Sequence, residues 1–95
     1  MDQEHLTFSG LTATLKAAGE TTRLRILALL AEAELTVSDL TEILRQSQPR
    51  LSRHLRLLAE ARLVERVREG AWAFYRLDEQ DGIDIARPLI ARLDP

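Results

Sequence analysis

The hydrophobic period of this chain changes once, from 3.6 to 2, just after Ala61. Everything before that point repeats as helices do. From Leu6 to Ala18, apolar Leu11, Leu15 and Ala18 recur at i, i+4 and i+7, and Gly19 follows as a stop. Glu20 to Ala31 carries Leu24, Ile26, Leu27, Leu29 and Leu30 around much of its circumference, the pattern of a central, buried helix. Thr36 opens the next segment with a hydroxyl able to cap free N–H groups and Asp39 three residues on, with Val37, Leu40, Ile43 and Leu44 expected inward. Arg45-Gln46 makes a tight turn, and Ser47 caps a helix expected over 48–61 with Pro49 in its first turn.

Beyond Ala61 the chain alternates. Leu63–Arg68 and Ala71–Leu77 read as two extended runs, with Glu69-Gly70 between them as the hairpin turn. Trp72 and Phe74 share one face of the second run and Ala73, Tyr75 and Leu77 the other; packing under the hairpin is the expected job of the aromatic pair. Helical spacing returns over 81–93 through Ala86, Leu89, Ile90 and Leu93, where Pro88 either begins the last helix or kinks it. With 95 residues and no repeat or linker, the chain reads as one domain over residues 1–95. Its class is mainly α with a β-hairpin (α+β). Numbering the segments 6–18, 20–31, 36–44, 48–61, 63–68, 71–77 and 81–93 in turn gives α1-α2-α3-α4-β1-β2-α5, a winged helix-turn-helix.

Charge is distributed unevenly. The formal net charge is -2, but residues 45–68 hold seven Arg against two acids while both flanks are acidic. Docking on phosphate depends on the local field rather than the net charge. There is no Cys, which excludes disulfides, thiolate metal sites and cysteine redox sensing. No His/Asp/Glu cluster has metal-ligand spacing on one helix, no Gly-rich phosphate loop occurs, and no Ser has a nucleophile setting, so the chain is not expected to be an enzyme or to carry a cofactor. A polar, acidic start and the lack of a long apolar run place it in the cytoplasm.

The helix over 48–61 is the expected carrier of function. At 100° per residue, Leu51, Leu55 and Leu58 gather on one side with His54 beside them, and Gln48, Pro49, Ser52, Arg53, Arg56 and Glu60 on the other. Gln can read adenine and Arg guanine in a major groove, so Gln48, Ser52 and Arg53 are assigned to bases, with Ser47 at the end that enters first. Arg50 and Arg56 suit phosphates. Arg66, Arg68 and Gly70 bring the hairpin tip to the backbone or the minor groove. His54 completes the candidate DNA-binding set, although its place beside the leucines fits a satisfied, partly buried histidine better. His5 belongs to a loose N-terminus.

Thr22–Leu30, Glu34–Leu40, Ser47–Leu58 and Arg68–Leu77, in that order, resemble the ArsR/SmtB family of dimeric bacterial repressors. That resemblance implies first and last helices forming a dimer interface, here Leu11, Leu15, Ala18, Leu89, Ile90 and Leu93, and a fourth helix reading a palindromic operator. Metal-sensing members place cysteines where this chain has Thr36 and Ser38, and others use His in the last helix, which here has only carboxylates. The resemblance therefore implies no metal site, and a non-metal small-molecule inducer or none. It is strongest to the subgroup in which this domain precedes an S-adenosylmethionine-dependent methyltransferase, with Leu93-Asp94-Pro95 resembling the start of such a junction and the chain the N-terminal part of a longer protein. The expected function is a homodimeric, sequence-specific transcriptional repressor. The competing expectation is a winged-helix module that dimerises or regulates an attached methyltransferase without reading DNA.

Overall fold

The computed structural model describes residues 7–94; His5, Leu6 and Pro95 lie outside them. The elements run α1 (Phe8–Ala18), α2 (Thr21–Leu30), α3 (Val37–Leu44), α4 (Gln48–Glu60), β1 (Val64–Glu69), β2 (Trp72–Leu77), a π-helical turn (Gly82–Ala86) and α5 (Arg87–Ile90). This is the winged helix-turn-helix order expected from the sequence.

Local chemistry explains each boundary. Thr7 caps α1 by accepting the N–H of Gly10, and Glu20 caps α2 by accepting that of Arg23. Thr36 and Asp39 form a full capping box, each side chain accepting the other's N–H. Arg45, with φ 58°, closes α3 in the left-handed conformation, and Ser47 caps α4 two residues later with Pro49 in the first turn. That left-handed residue is what turns the chain sharply enough to set α4 across α3.

Ile26, Leu27 and Leu30 of α2 meet Leu40 of α3, Leu51, Leu55 and Leu58 of α4, and Leu63, Val64 and Leu77 of the hairpin base in one continuous core. The central place expected for α2 is therefore observed. Ile43 departs from expectation: it is 51% exposed, because α3 lies at the edge of the core and only Leu40 reaches its interior.

β1 and β2 pair antiparallel with Val64 opposite Leu77 and Glu69 opposite Trp72. The two-residue loop is thus Gly70-Ala71 rather than Glu69-Gly70, and the one positive φ it requires, 61°, falls on Gly70. Leu35 adds a short bridge outside the hairpin, exchanging both backbone hydrogen bonds with Tyr75 at 3.1 and 2.7 Å.

Because Val64 and Leu77 are buried, the face they share with Tyr75 and Ala73 is the one turned to the core. The opposite face holds Trp72, Phe74 and Val67, and Trp72 is 66% exposed. The expectation that Trp72 packs under the wing is therefore overturned: the wing projects past the core, and among the described residues its tip, Arg68 to Trp72, is exposed.

Pro88 is accommodated by a change of helix type. Ahead of it the Arg87 N–H reaches back five residues to the Gly82 carbonyl, and this wider turn makes room for a ring that would otherwise strike the carbonyl four residues earlier. The last α-helix, Arg87–Ile90, thus begins next to Pro88, as one of the two expectations had it, and the π turn ahead of it is what the sequence did not announce. Among the described residues, no helix is long and apolar enough to cross a membrane.

Candidate nucleic-acid interface

α4 is anchored by one face and free on the other. Leu51, Leu55 and Leu58 are fully buried, while Gln48, Pro49, Arg50, Arg53 and Arg56 are exposed and Ser52 is half-buried. The Ser47 hydroxyl, itself exposed, accepts the Arg50 N–H at 3.4 Å. Among the described residues no carboxylate pairs with Arg50, Arg53 or Arg56. Three guanidinium groups therefore share one protruding surface without internal neutralisation, and the leucines opposite fix its orientation.

His54 stands apart from its outward neighbours. Its side chain is 14% exposed, with Nδ1 3.9 Å from Glu20 Oε1 and 3.2 Å from a terminal guanidinium nitrogen of Arg23. Burial holds its pKa below the ordinary imidazole value; Glu20 opposes this, and Arg23, Arg50 and Arg53 reinforce it. The ring belongs to the helix-packing side, as a satisfied histidine should.

The turn before α4 is tied to α2. Gln46 donates from Nε2 to the Thr22 hydroxyl at 3.2 Å, and its own carbonyl oxygen is buried with no partner among the described residues. This tie fixes the start of α4 against the first turn of a core helix.

The wing offers a second basic element. Arg66, Arg68 and Gly70 are all exposed, on the outer stretch of a hairpin whose base is buried. At the base, Arg76 Nε donates to Glu65 Oε2 at 3.0 Å, and Glu34 and Glu79 approach the same guanidinium at 3.6 and 3.9 Å. Arg76 is thereby occupied in holding the hairpin, whereas among the described residues no carboxylate pairs with Arg66 or Arg68.

A separate apolar surface lies where α1 meets α5. Leu11, Leu15, Leu89 and Leu93 are exposed, Ile90 is half-buried, and Leu15, Leu24, Leu89, Ile90 and Leu93 line a cavity of about 230 Å³. Ala18 differs from the other residues expected here, since it lies in the protomer's own core and only floors this cavity. Phe8, 89% exposed, extends the stripe one turn further and escaped the sequence reading, although its spacing of three from Leu11 carried the signal.

Arg23 also escaped it. Its contact with His54, 31 residues on, is a tertiary fact that helical spacing does not carry.

Residues 20–66 match the family model described as bacterial regulatory protein, arsR family. The arsenical resistance operon repressor of Escherichia coli is 49% identical over 63 residues, covering 65% of this chain and 54% of that protein. The chain spans about half the length of that repressor and of an arsenic resistance transcriptional regulator of Pseudomonas putida. Among solved structures, the transcriptional repressor BigR from Xylella fastidiosa superposes with a TM-score of 0.79 at 30% identity, covering 87% of this chain and 82% of that one. A homodimeric winged helix-turn-helix DNA-binding domain from Mycobacterium bovis also gives 0.79, at 28% identity, over 87% of this chain and 77% of that one.

Proposed function

The chain belongs to the ArsR family of bacterial regulatory proteins, and from that premise we propose that it is a homodimeric, sequence-specific DNA-binding transcriptional repressor of the cytoplasm, not an enzyme. The observation that carries this reading is α4, with three guanidinium groups outward that no carboxylate among the described residues pairs, and three fully buried leucines behind them. A helix so mounted fits a major groove, where Gln48, Ser52 and Arg53 meet base edges and Arg50 and Arg56 meet phosphates. Arg66, Arg68 and Gly70 follow the backbone beside it.

The apolar stripe of Phe8, Leu11, Leu15, Leu89 and Leu93 supports pairing of two copies. Twofold symmetry then sets two copies of α4 on half-sites about 10 bp apart, or a multiple of that, in a palindromic operator. The names of the relatives agree: a repressor in Escherichia coli and a homodimeric DNA-binding domain in Mycobacterium bovis.

An effector, if it acts, is a small molecule other than a thiophilic metal, because Thr36 and Ser38 offer hydroxyls and Thr36 is already spent on its cap. Attachment to a methyltransferase is the reading for its full-length context, tested by the reading frame beyond residue 95. Fluorescence anisotropy of a promoter duplex at two salt concentrations tests the function. Steeply salt-dependent, sequence-ranked binding is expected; a salt-insensitive, absent response would instead mark an interaction module that does not read DNA.

A further inference from the structure

We propose that Arg23, Arg50 and His54, with Arg53 at the rim, form a built oxyanion cradle at the start of α4, which takes a phosphate of the DNA backbone. The source of that phosphate rests on the DNA-binding reading; the cradle itself does not. An open cavity of about 560 Å³ lies between α2 and α4, lined by Arg23, Ser47, Arg50, Arg53, His54 and Leu57 among others. Three of those side chains are guanidinium groups. Two come from α4, and Arg23 comes from outside it, which no reading of α4 alone includes.

Arg23 is held in place before any ligand arrives. Its Nε donates to the Ala17 carbonyl at the end of α1 at 2.6 Å, and a terminal nitrogen lies 3.2 Å from His54 Nδ1. A guanidinium has no acceptor, so His54 Nδ1 must accept, and the ring is neutral with its proton on Nε2. Two of five Arg23 N–H groups are thus committed to fixing the plane, and the rest remain for an anion. The entropy of ordering a long side chain is already spent, which favours a charge-assisted or bidentate contact.

The electrostatics point the same way. The charged groups facing His54 are Arg50 and Arg53 on its own helix and Glu20 and Arg23 across from it. Glu20 is the single carboxylate among them, and its Oε1 also accepts the Arg23 backbone N–H at 2.9 Å. Three cations against one carboxylate leave positive charge uncompensated in a concave place, which an oxyanion would neutralise.

Position supplies the ligand's source. The cavity adjoins the exposed end of α4, where Ser47, Pro49 and Arg50 meet a groove edge first, so a backbone phosphate reaches it while Arg53 still borders the bases.

The test uses the whole chain and two probes. Inorganic phosphate, titrated against chloride at equal ionic strength, should shift the His54 ring resonances along a saturating curve. Arg23→Gln should weaken that response about tenfold or more. With a promoter duplex, Arg23→Gln should lower affinity about tenfold and the salt slope by about one, leaving the ranking of sequences unchanged. Arg23→Lys, which keeps the charge and loses the fork, should fall between the two proteins.

Loss of both responses in a folded Arg23→Gln protein supports the cradle and its backbone source. A saturating phosphate response in a protein that binds no duplex keeps the cradle, assigns it to a free oxyanion, and overturns the DNA reading alone. Normal duplex binding by Arg23→Gln together with a flat phosphate titration of the unaltered chain overturns the cradle and leaves the DNA reading standing.

Discussion

The backbone of Gly82 rests directly against the carbonyl oxygen of Leu63, the same oxygen that accepts the Asp78 N–H at 2.9 Å. A Cβ at residue 82 would overlap that oxygen and stand 3.1 Å from the Leu77 carbonyl carbon. Both neighbours are main chain at the hairpin base, so neither can swing aside. Gly82→Ala should therefore cost about 1–3 kcal/mol, as overpacking does, and lower the melting temperature by roughly 4–8 °C for each kcal/mol. An unchanged melting curve would show that the base of the wing and the last helix are not in such close contact.

His54 sets the direction of pH dependence near neutrality. Its pKa in the folded protein is held below 6.5 by burial and by the guanidinium groups around it. As pH falls from about 6.5, the unfolded chain takes up its proton first, so unfolding is favoured and stability declines. Glu20, lowered from 4.5 mainly by the Arg23 backbone N–H, adds the same sign at more acidic pH, since its stabilising carboxylate is lost there. Urea midpoints measured between about pH 5.5 and 7.5 should fall with acidity, and His54→Gln should flatten that stretch while leaving the lower, Glu20 portion.

Trp72 should be nearly silent in stability. At 66% exposure it makes little use of its area within the protomer, and substitutions at such places lie within about 0.5 kcal/mol. Trp72→Ala is expected to melt with the unaltered protein. The same exposure gives it water-quenchable emission, which acrylamide should reduce efficiently; a blue-shifted, protected emission would place the ring under the wing after all.

The sequence was legible where one periodicity or one cap decides the outcome. Leu51, Leu55 and Leu58 are buried as their spacing requires, and Ser47 and Thr36 cap the helices they precede, with Asp39 completing the box from inside α3. It was less legible where the answer depends on what lies across from a residue. Alternation identifies the two faces of the wing but does not say that only its base, Val64 and Leu77, has a core to face. Likewise Pro88 announces trouble in a helix without announcing a π turn as the remedy. Arg23 is the sharpest case, because its meaning comes from Ala17 and His54, on two other helices.

The α1–α5 surface should give way to a charge without unfolding the protomer. Leu15 and Leu89 are both about half exposed and line the same small cavity, so a carboxylate there stays hydrated in a monomer and is buried unpaired only when two copies meet. Leu89→Glu should thus convert a dimer to a monomer in sedimentation while retaining helical circular dichroism. A protein that sediments alike before and after the change would remove this surface as the pairing face.

Arg53 and Arg68 both carry a positive charge that no carboxylate among the described residues pairs, yet the proposed interface expects different consequences of them. Arg53 projects from a helix locked by its leucines, so its position relative to a base edge is defined, and a bidentate contact there is worth about 1–3 kcal/mol of discrimination. Arg68 stands near the tip of a two-stranded wing opposite Ala73, where a long side chain sweeps a wide arc and can follow a phosphate but not select a base. Arg53→Ala should accordingly compress the affinity difference between operator and random duplex by about tenfold or more. Arg68→Ala should weaken both duplexes alike and reduce the salt slope by about one. Were the two variants to exchange these signatures, the wing rather than α4 would be the element reading sequence.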